Sequence, residues 1–165
     1  MSDRSIINKL IVVITKTSIF LAVVSLFSMM LLITLDVTLN KVIGRPIPGT
    51  IEVTSYYFML FVVFLTLPSI EKNDIHISAD FIVARFSSSV QNIFKLSGKI
   101  LTITFYSFLA YGALTQAIKS TYSLETAMSN FTFYIWPARW GVVLGLVSAI
   151  TVIVMIVSQQ FKNNQ

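Results

Sequence analysis

The sequence has 165 residues, of which 55% are hydrophobic and only 12% are charged, and its mean hydropathy is +0.81. A soluble domain of this size carries about 25% charged residues, so the composition excludes an ordinary water-facing surface. The chain has no cysteine, which excludes disulfides and thiolate catalysis, and its net charge of +5 is scattered, which argues against nucleic-acid binding.

Four stretches of 18 residues or more carry no charged side chain: 17–35, 53–70, 100–118 and 140–161. Eighteen helical residues rise about 27 Å, close to the roughly 30 Å hydrocarbon core of a bilayer. A spanning segment must satisfy its own backbone hydrogen bonds, and continuously apolar runs favour helices over barrel strands. We therefore predict an all-α integral membrane protein, a single membrane domain over 1–165 with four transmembrane helices.

The orientation follows from the distribution of Lys and Arg. Eight of these residues lie in the N-terminal tail, the middle loop and the C-terminal tail, and four lie in the other two loops. Short loops rich in Lys and Arg remain in the cytoplasm. We expect both termini inside and the loops at 36–52 and 119–139 outside, with a helical lead-in at 5–16 that continues into the first span.

The first outer loop contains a Pro/Gly turn at 44–50 (GRPIPGT), which predicts a rigid connection. Thr50 is predicted as the N-cap of the second helix, with Glu52 in its first turn. Four charged residues surround the turn: Asp36, Lys41, Arg45 and Glu52. They are expected either to brace the loop through ion pairs or to contact a partner protein.

The middle loop is the longest. Apolar residues between 77 and 86 predict a short amphipathic segment along the cytoplasmic surface of the membrane. Ser88 followed by Gln91 fits a capping box, so a helix is predicted to start there and run into the third span. The single histidine, His76, and Asp80 are either a pH-sensitive or partner-contact pair, or simply solvated interfacial groups.

The second outer loop ends in aromatic residues, Tyr134, Trp136 and Trp140, which are typical of the membrane interface. Beyond them, Gly141 and Gly145 repeat at a spacing of four, which Ala149 continues. Small residues at this spacing allow close approach of another helix, although the repeat also arises by chance in membrane helices. Gly141 and Gly145 are accordingly candidate contact residues.

The four uncharged stretches contain no Asp, Glu, Lys, Arg or His. Ion and proton pathways usually need such groups, so the chain alone is a poor candidate for a transport path. No catalytic residue, cofactor or metal site is predicted. The alternatives are a self-contained homo-oligomeric channel or small exporter, which usually needs a membrane-embedded carboxylate, and a membrane enzyme or redox subunit, which a single loop histidine does not favour.

The chain resembles the small membrane subunit of TRAP (tripartite ATP-independent periplasmic) transporters. The residues that carry this resemblance are Asp36-Val37, the run 44–53 (GRPIPGTIEV), His76-Ile77 and Asp80, together with Trp136-Pro137 before the last span. The resemblance covers essentially the whole chain. The segment at 46–52 is its most specific part.

The resemblance implies a partnership of three proteins, two of them in a bacterial inner membrane and one in the periplasm. A large membrane subunit would hold the substrate and Na⁺ sites, and a periplasmic protein would capture and deliver the solute. This chain would be a scaffold in the lipid bilayer that anchors the large subunit, and its outer loops would help dock the binding protein. Substrates of the family are acidic organic solutes of the sialic acid or C4-dicarboxylate class.

Overall fold

Four long helices make up most of the chain in the computed structural model, which describes residues 2–73, 88–127 and 133–163. They are α1 (Ser2–Ile43), α2 (Thr50–Asn73), α3 (Ser88–Tyr122) and α4 (Trp136–Asn163). Each contains a segment long and apolar enough to cross a membrane, as predicted. Within the described ranges, β pairing is limited to an isolated bridge between Thr126 and Tyr134, so the all-α class is confirmed.

Helix α1 is longer than the span predicted within it. Its 42 residues rise about 63 Å, roughly twice the thickness of the hydrocarbon core. The lead-in and the first span form one continuous helix, which continues two turns past Asp36. The prediction that the first loop starts at residue 36 is therefore wrong, because no Gly or Pro interrupts the helix before Gly44.

Helix α2 consists of three consecutive segments: α-helical Thr50–Val53, π-helical Thr54–Phe58 and α-helical Met59–Asn73. Its N-cap is Gly49, so the prediction of a Thr50 cap is wrong. Thr50 is already helical, and its hydroxyl donates instead to the carbonyl of Ile47 at 3.0 Å, because the turn folds that carbonyl back towards it. Glu52 lies in the first turn, as predicted.

Helix α4 is the centre of the bundle. Both α2 and α3 pack on α4, and α1 packs mainly on α2. The core lies where α3 and α4 meet, with Tyr106 against Leu146, Ala149 and Ile153. Accordingly, α4 is the most buried of the four helices.

Helix α1 is attached to the bundle along one narrow stripe. The buried residues of this stripe are spaced alternately by four and three: Ile11, Thr15, Ser18, Ala22 and Ser25. An average spacing of 3.5 keeps one seam facing a neighbouring helix, and small side chains allow the two backbones to approach. Most of the remaining surface of α1 is exposed and apolar, including Phe20 at 66% and Phe27 at 61%.

Helix α3 begins at Ser88 and runs unbroken to Tyr122, as the spacing of Ser88 and Gln91 predicts. Twelve residues precede its uncharged stretch, so the helix extends about 18 Å before that stretch begins. The predicted amphipathic segment between 77 and 86 lies outside the described residues, as do His76 and Asp80.

Candidate functional site at the hairpin end

The α1–α2 and α3–α4 connections lie at the same end of the bundle, which we call the hairpin end. The hydroxyl of Tyr57 donates a hydrogen bond to the backbone carbonyl of Tyr134. The rings of Tyr56 and Tyr57 lie 6.4 and 5.9 Å from that of Phe133. Both tyrosines belong to the π-helical turn of α2, so this irregular turn carries the contact with the α3–α4 connection. Such turns are frequent at functional sites.

The first connection is a turn bounded by two glycines. Gly44 and Gly49 have φ values of +70° and +86°, a conformation that other residues adopt at a cost. Pro46 and Pro48 have no N–H, so Ile47 supplies the only backbone donor of this three-residue segment. That N–H is the group available to fix the turn.

Asp36 on α1 accepts this N–H. The distance from Ile47 N to Asp36 Oδ1 is 2.5 Å, and the contact is partly buried. None of Asp36, Lys41, Arg45 and Glu52 forms an ion pair with any described residue, so the predicted ion-pair brace is wrong. The loop is braced by a carboxylate-to-backbone hydrogen bond instead, because the paired prolines leave one backbone donor facing α1.

The outer surface of this turn combines exposed apolar side chains with exposed cations. Val42, Ile43 and Ile51 are 76%, 62% and 77% exposed, and Arg45 is exposed beside them. We call these four residues the first-hairpin tip. Val42 lies about 10 Å along α1 beyond Leu35, where the first uncharged stretch ends. An exposed apolar surface rimmed by charge is typical of a protein contact site.

The second connection is fixed by an ion pair and by bonds across its base. Arg139 Nη2 lies 2.7 Å from Glu125 Oε1, with about a quarter and a third of the two side chains exposed. The indole Nε1 of Trp140 donates to Thr121 Oγ1 at 3.0 Å, which joins the start of α4 to the end of α3. The backbone N–H of Glu125 donates to the carbonyl of Ser120 at 3.1 Å.

Glu125 is the titratable group of this connection. The neighbouring Ser120 hydroxyl, and then Arg139 and Lys119, hold the pKa of Glu125 below its usual range, against a smaller opposing effect of burial. The Ser120 hydroxyl is itself buried and makes no hydrogen bond of ordinary geometry with a described residue. The short contact with Arg139 is the one that the geometry shows directly, and it favours the charged form of Glu125.

The candidate contact residues Gly141 and Gly145 both face α2 of the same chain. A Cβ added at Gly141 would lie 2.1 Å from the Phe61 ring, and one at Gly145 would lie 2.5 Å from the Phe64 carbonyl oxygen. Pro68 has no N–H to donate to that carbonyl, which leaves it accessible to α4. The small-residue face is therefore used inside the bundle.

At the opposite end of the bundle, the hydroxyl of Tyr106 on α3 donates to Glu71 Oε1 on α2 at 2.9 Å. Both side chains are buried, at 9% and 8% exposure. Glu71 immediately follows the uncharged stretch 53–70, so the sequence placed it outside the span. The helix continues to Asn73 and brings this carboxylate into the bundle.

The structure thus divides the predicted contact residues. Asp36, Arg45 and Glu52 lie at the hairpin end, whereas Gly141 and Gly145 lie within the bundle. Sequence reasoning missed the Glu125–Arg139 and Glu71–Tyr106 pairs. Opposite charges on both sides of the short α3–α4 connection were a usable signal for the first pair. No sequence signal joins residues 35 apart on two helices.

The fold defines a multi-pass helical membrane protein with two braced connections at one end. The family model described as "Tripartite ATP-independent periplasmic transporters, DctQ component" matches residues 29–163. The chain belongs to this family and is therefore a component of a tripartite transporter, as the sequence resemblance implies. No curated protein and no solved structure matched the chain.

Proposed function

We propose that this chain is the small accessory subunit of a Na⁺-coupled TRAP transporter that imports an acidic organic solute of the sialic acid or C4-dicarboxylate class. Its role is to hold a large membrane subunit that carries the solute and Na⁺ sites. Membership of the family supports a place in a tripartite transporter. The side chains of the helices support this division of labour.

The observation that carries this proposal is the absence of charged residues from the central stretches of all four helices. A path for ions, protons or acidic solutes would need such groups. Polar side chains there mostly bond to their own helix, as when Ser25, Thr66 and Thr151 donate to carbonyls four residues earlier at 2.8–3.0 Å. They are structural groups, which favours a scaffold over a carrier.

The exposed faces of α1 and α3 support a membrane partner. Both helices present large apolar side chains over most of their length, including Leu101 at 72% and Phe108 at 75% exposure on α3. Lipid covers such faces in an isolated chain, and a second membrane subunit replaces that lipid without exposing polar backbone. The long α1, held by a single stripe, is the helix we assign to this contact.

We place both termini in the cytoplasm and the hairpin end in the periplasm, in a bacterial inner membrane. The eight Lys and Arg residues of the tails and middle loop, against four at the hairpin end, support this orientation. The first-hairpin tip then faces the periplasmic binding protein, with Arg45 as its charged contact. His76 and Asp80 remain proposed contact residues on the cytoplasmic side.

Co-purification tests the scaffold role. The tagged chain, expressed with its cognate large subunit and extracted in mild detergent, should elute as a stable complex of the two. Elution of the chain alone as a homo-oligomer, with the large subunit recovered separately, would contradict the proposal and favour a self-contained channel.

A further inference from the structure

A cavity of about 540 Å³ lies at the hairpin end, between α2 and α3 and against α4. Helices α2 and α3 pack on α4 rather than on each other, and they meet through Tyr106 and Glu71 at the opposite end of the bundle. The gap between them therefore opens sideways, towards the surroundings of the helices. Its volume falls in the range of about 300–1,000 Å³ that is typical of small-molecule sites.

The polar groups of this cavity are all near the helix ends. Ser55 and Tyr56 lie in the first two turns of α2, Gln116 in the last two turns of α3, and Arg139 in the first turn of α4. Deeper in the bundle, the lining becomes apolar, with Leu60 and Phe64 on α2 and Val142 on α4. The cavity is thus polar at its outer end and apolar below.

Several of these polar groups have no partner within the described part of the chain. The side chains of Ser55 and Gln116 make no hydrogen bond there, and neither does the Tyr56 hydroxyl. Arg139 binds Glu125 through Nη2, but its buried Nε has no partner. Unpaired donors in a membrane segment are costly, so a bound group that accepts hydrogen bonds would stabilise them.

We infer that this cavity binds a glycerophospholipid from the leaflet that meets the hairpin end. The phosphate accepts hydrogen bonds from Ser55 and Gln116 and lies beside the Arg139 guanidinium, which suits phosphate geometry. One acyl chain enters the gap along Leu60 and Phe64. The depth agrees with this arrangement, because the interfacial Trp136 and Trp140 start α4 at the same level as Arg139.

A lipid fits these observations better than a partner helix does. The cavity combines donors for an anion with an apolar channel in one continuous space, which matches the division of a phospholipid into head and tail. The site requires only that the chain lies in a membrane, and it is independent of the transported solute.

Native mass spectrometry of the purified full chain in detergent tests the site with three probes. Phosphatidylglycerol carries both phosphate and acyl chains, diacylglycerol lacks the phosphate, and inorganic phosphate lacks the chains. We expect phosphatidylglycerol to bind at least about tenfold more tightly than either of the others, since it alone combines hydrogen bonds to a charged phosphate with burial of an acyl chain. Equal binding of diacylglycerol would overturn the assignment of the phosphate.

The test variant is the double substitution Ser55→Val and Gln116→Leu, and the control variant is Ser107→Leu. Ser55 and Gln116 make no side-chain hydrogen bond within the described chain, so replacing them removes no internal hydrogen bond, and Arg139 stays in place to hold Glu125. Ser107 is exposed on α3 and does not line the cavity. We expect the double variant to bind phosphatidylglycerol at least about tenfold more weakly than the wild type, whereas Ser107→Leu should bind it with unchanged affinity. Equal affinity of the two variants for phosphatidylglycerol would contradict the proposal.

Discussion

The carboxylate of Asp36 and the backbone amide of Ile47 are 2.5 Å apart and join residues eleven positions apart in the chain. This bond explains why the Pro46-Ile47-Pro48 segment needs an acidic residue on the preceding helix. The two prolines remove their own donors, and the glycines on each side set the direction of the turn. The position of the first-hairpin tip, including Arg45, therefore depends on Asp36.

Asp36→Ala should destabilise the folded chain by about 1–2 kcal/mol, because it leaves the Ile47 N–H without its charged acceptor. Asp36→Asn keeps an acceptor oxygen and should retain most of this stability. The measurement is the Tm of the purified chain in detergent. If the alanine and asparagine variants both had the same Tm as the wild type, the bond would not hold the turn.

Gly145→Ala should destabilise the bundle by about 1–3 kcal/mol, because the new Cβ would lie 2.5 Å from the carbonyl oxygen of Phe64. Gly98→Ala on α3 is the matched control, since its Cβ would meet nothing within 4 Å. That variant should be neutral or more stable by up to about 1 kcal/mol. Thermal unfolding of both variants decides the matter, and equal Tm values would argue against a close α2–α4 contact.

Tyr106→Phe should lower stability by about 1–2 kcal/mol, because it removes the hydroxyl that donates to the buried Glu71 carboxylate. Tyr111→Phe serves as the control on the same helix, since Tyr111 is 70% exposed and makes no hydrogen bond with a described residue. Only the first variant should have a lower Tm. A loss of the same size in both would indicate an effect of ring polarity rather than of this bond.

The stability of the second connection should depend on acid pH through Glu125. Its pKa is lower in the folded than in the unfolded chain, so its contribution is complete above the ordinary value of about 4.3 and is lost as pH falls through the folded value. A partly exposed pair of this kind contributes about 0.2–1 kcal/mol.

Tm measured between about pH 6 and pH 3 should therefore fall less for Glu125→Gln than for the wild type. Glu52→Gln is the control, because Glu52 forms no ion pair with a described residue, and it should follow the wild type. Parallel curves for Glu125→Gln and the wild type would show that the pair does not stabilise the folded chain.

Arg45→Ala should leave the Tm unchanged, because Arg45 is exposed and unpaired within the described chain. Uptake by the assembled transporter should then need a several-fold higher concentration of binding protein, since charged contacts at an interface rim mainly steer association. Lys16→Ala, which removes an exposed cation far from the hairpin end on α1, is the control and should leave the concentration dependence unchanged. An unchanged concentration dependence for Arg45→Ala would exclude Arg45 from docking.

The helices were predictable because each depends on a long uncharged run, and the start of α3 at Ser88 because the spacing of Ser88 and Gln91 in the sequence indicates a helix start there. The predicted end of α1 is wrong because the uncharged run ends at Asp36, whereas the helix continues to Ile43. A charged residue ends a hydrophobic run, but it does not end a helix. The helix ends just before Gly44, because glycine readily adopts the conformation that stops the helical hydrogen bonding.

The site was less predictable because it depends on contacts between distant residues. Gly141 and Gly145 were recognised as a close-packing pair, but sequence alone does not say which helix approaches them. Their neighbour is α2, where Pro68 leaves the Phe64 carbonyl accessible. The cavity beside Arg139 had no sequence signal, because its donors come from three helices and share no spacing.

Uptake into proteoliposomes tests the central claim most directly, namely that this chain supports transport without carrying solute. The chain alone, the cognate large subunit alone and the two together would each be supplied with Na⁺, the periplasmic binding protein and either sialic acid or a C4-dicarboxylate. We predict Na⁺-dependent uptake only from the pair. Uptake by this chain alone would contradict the account.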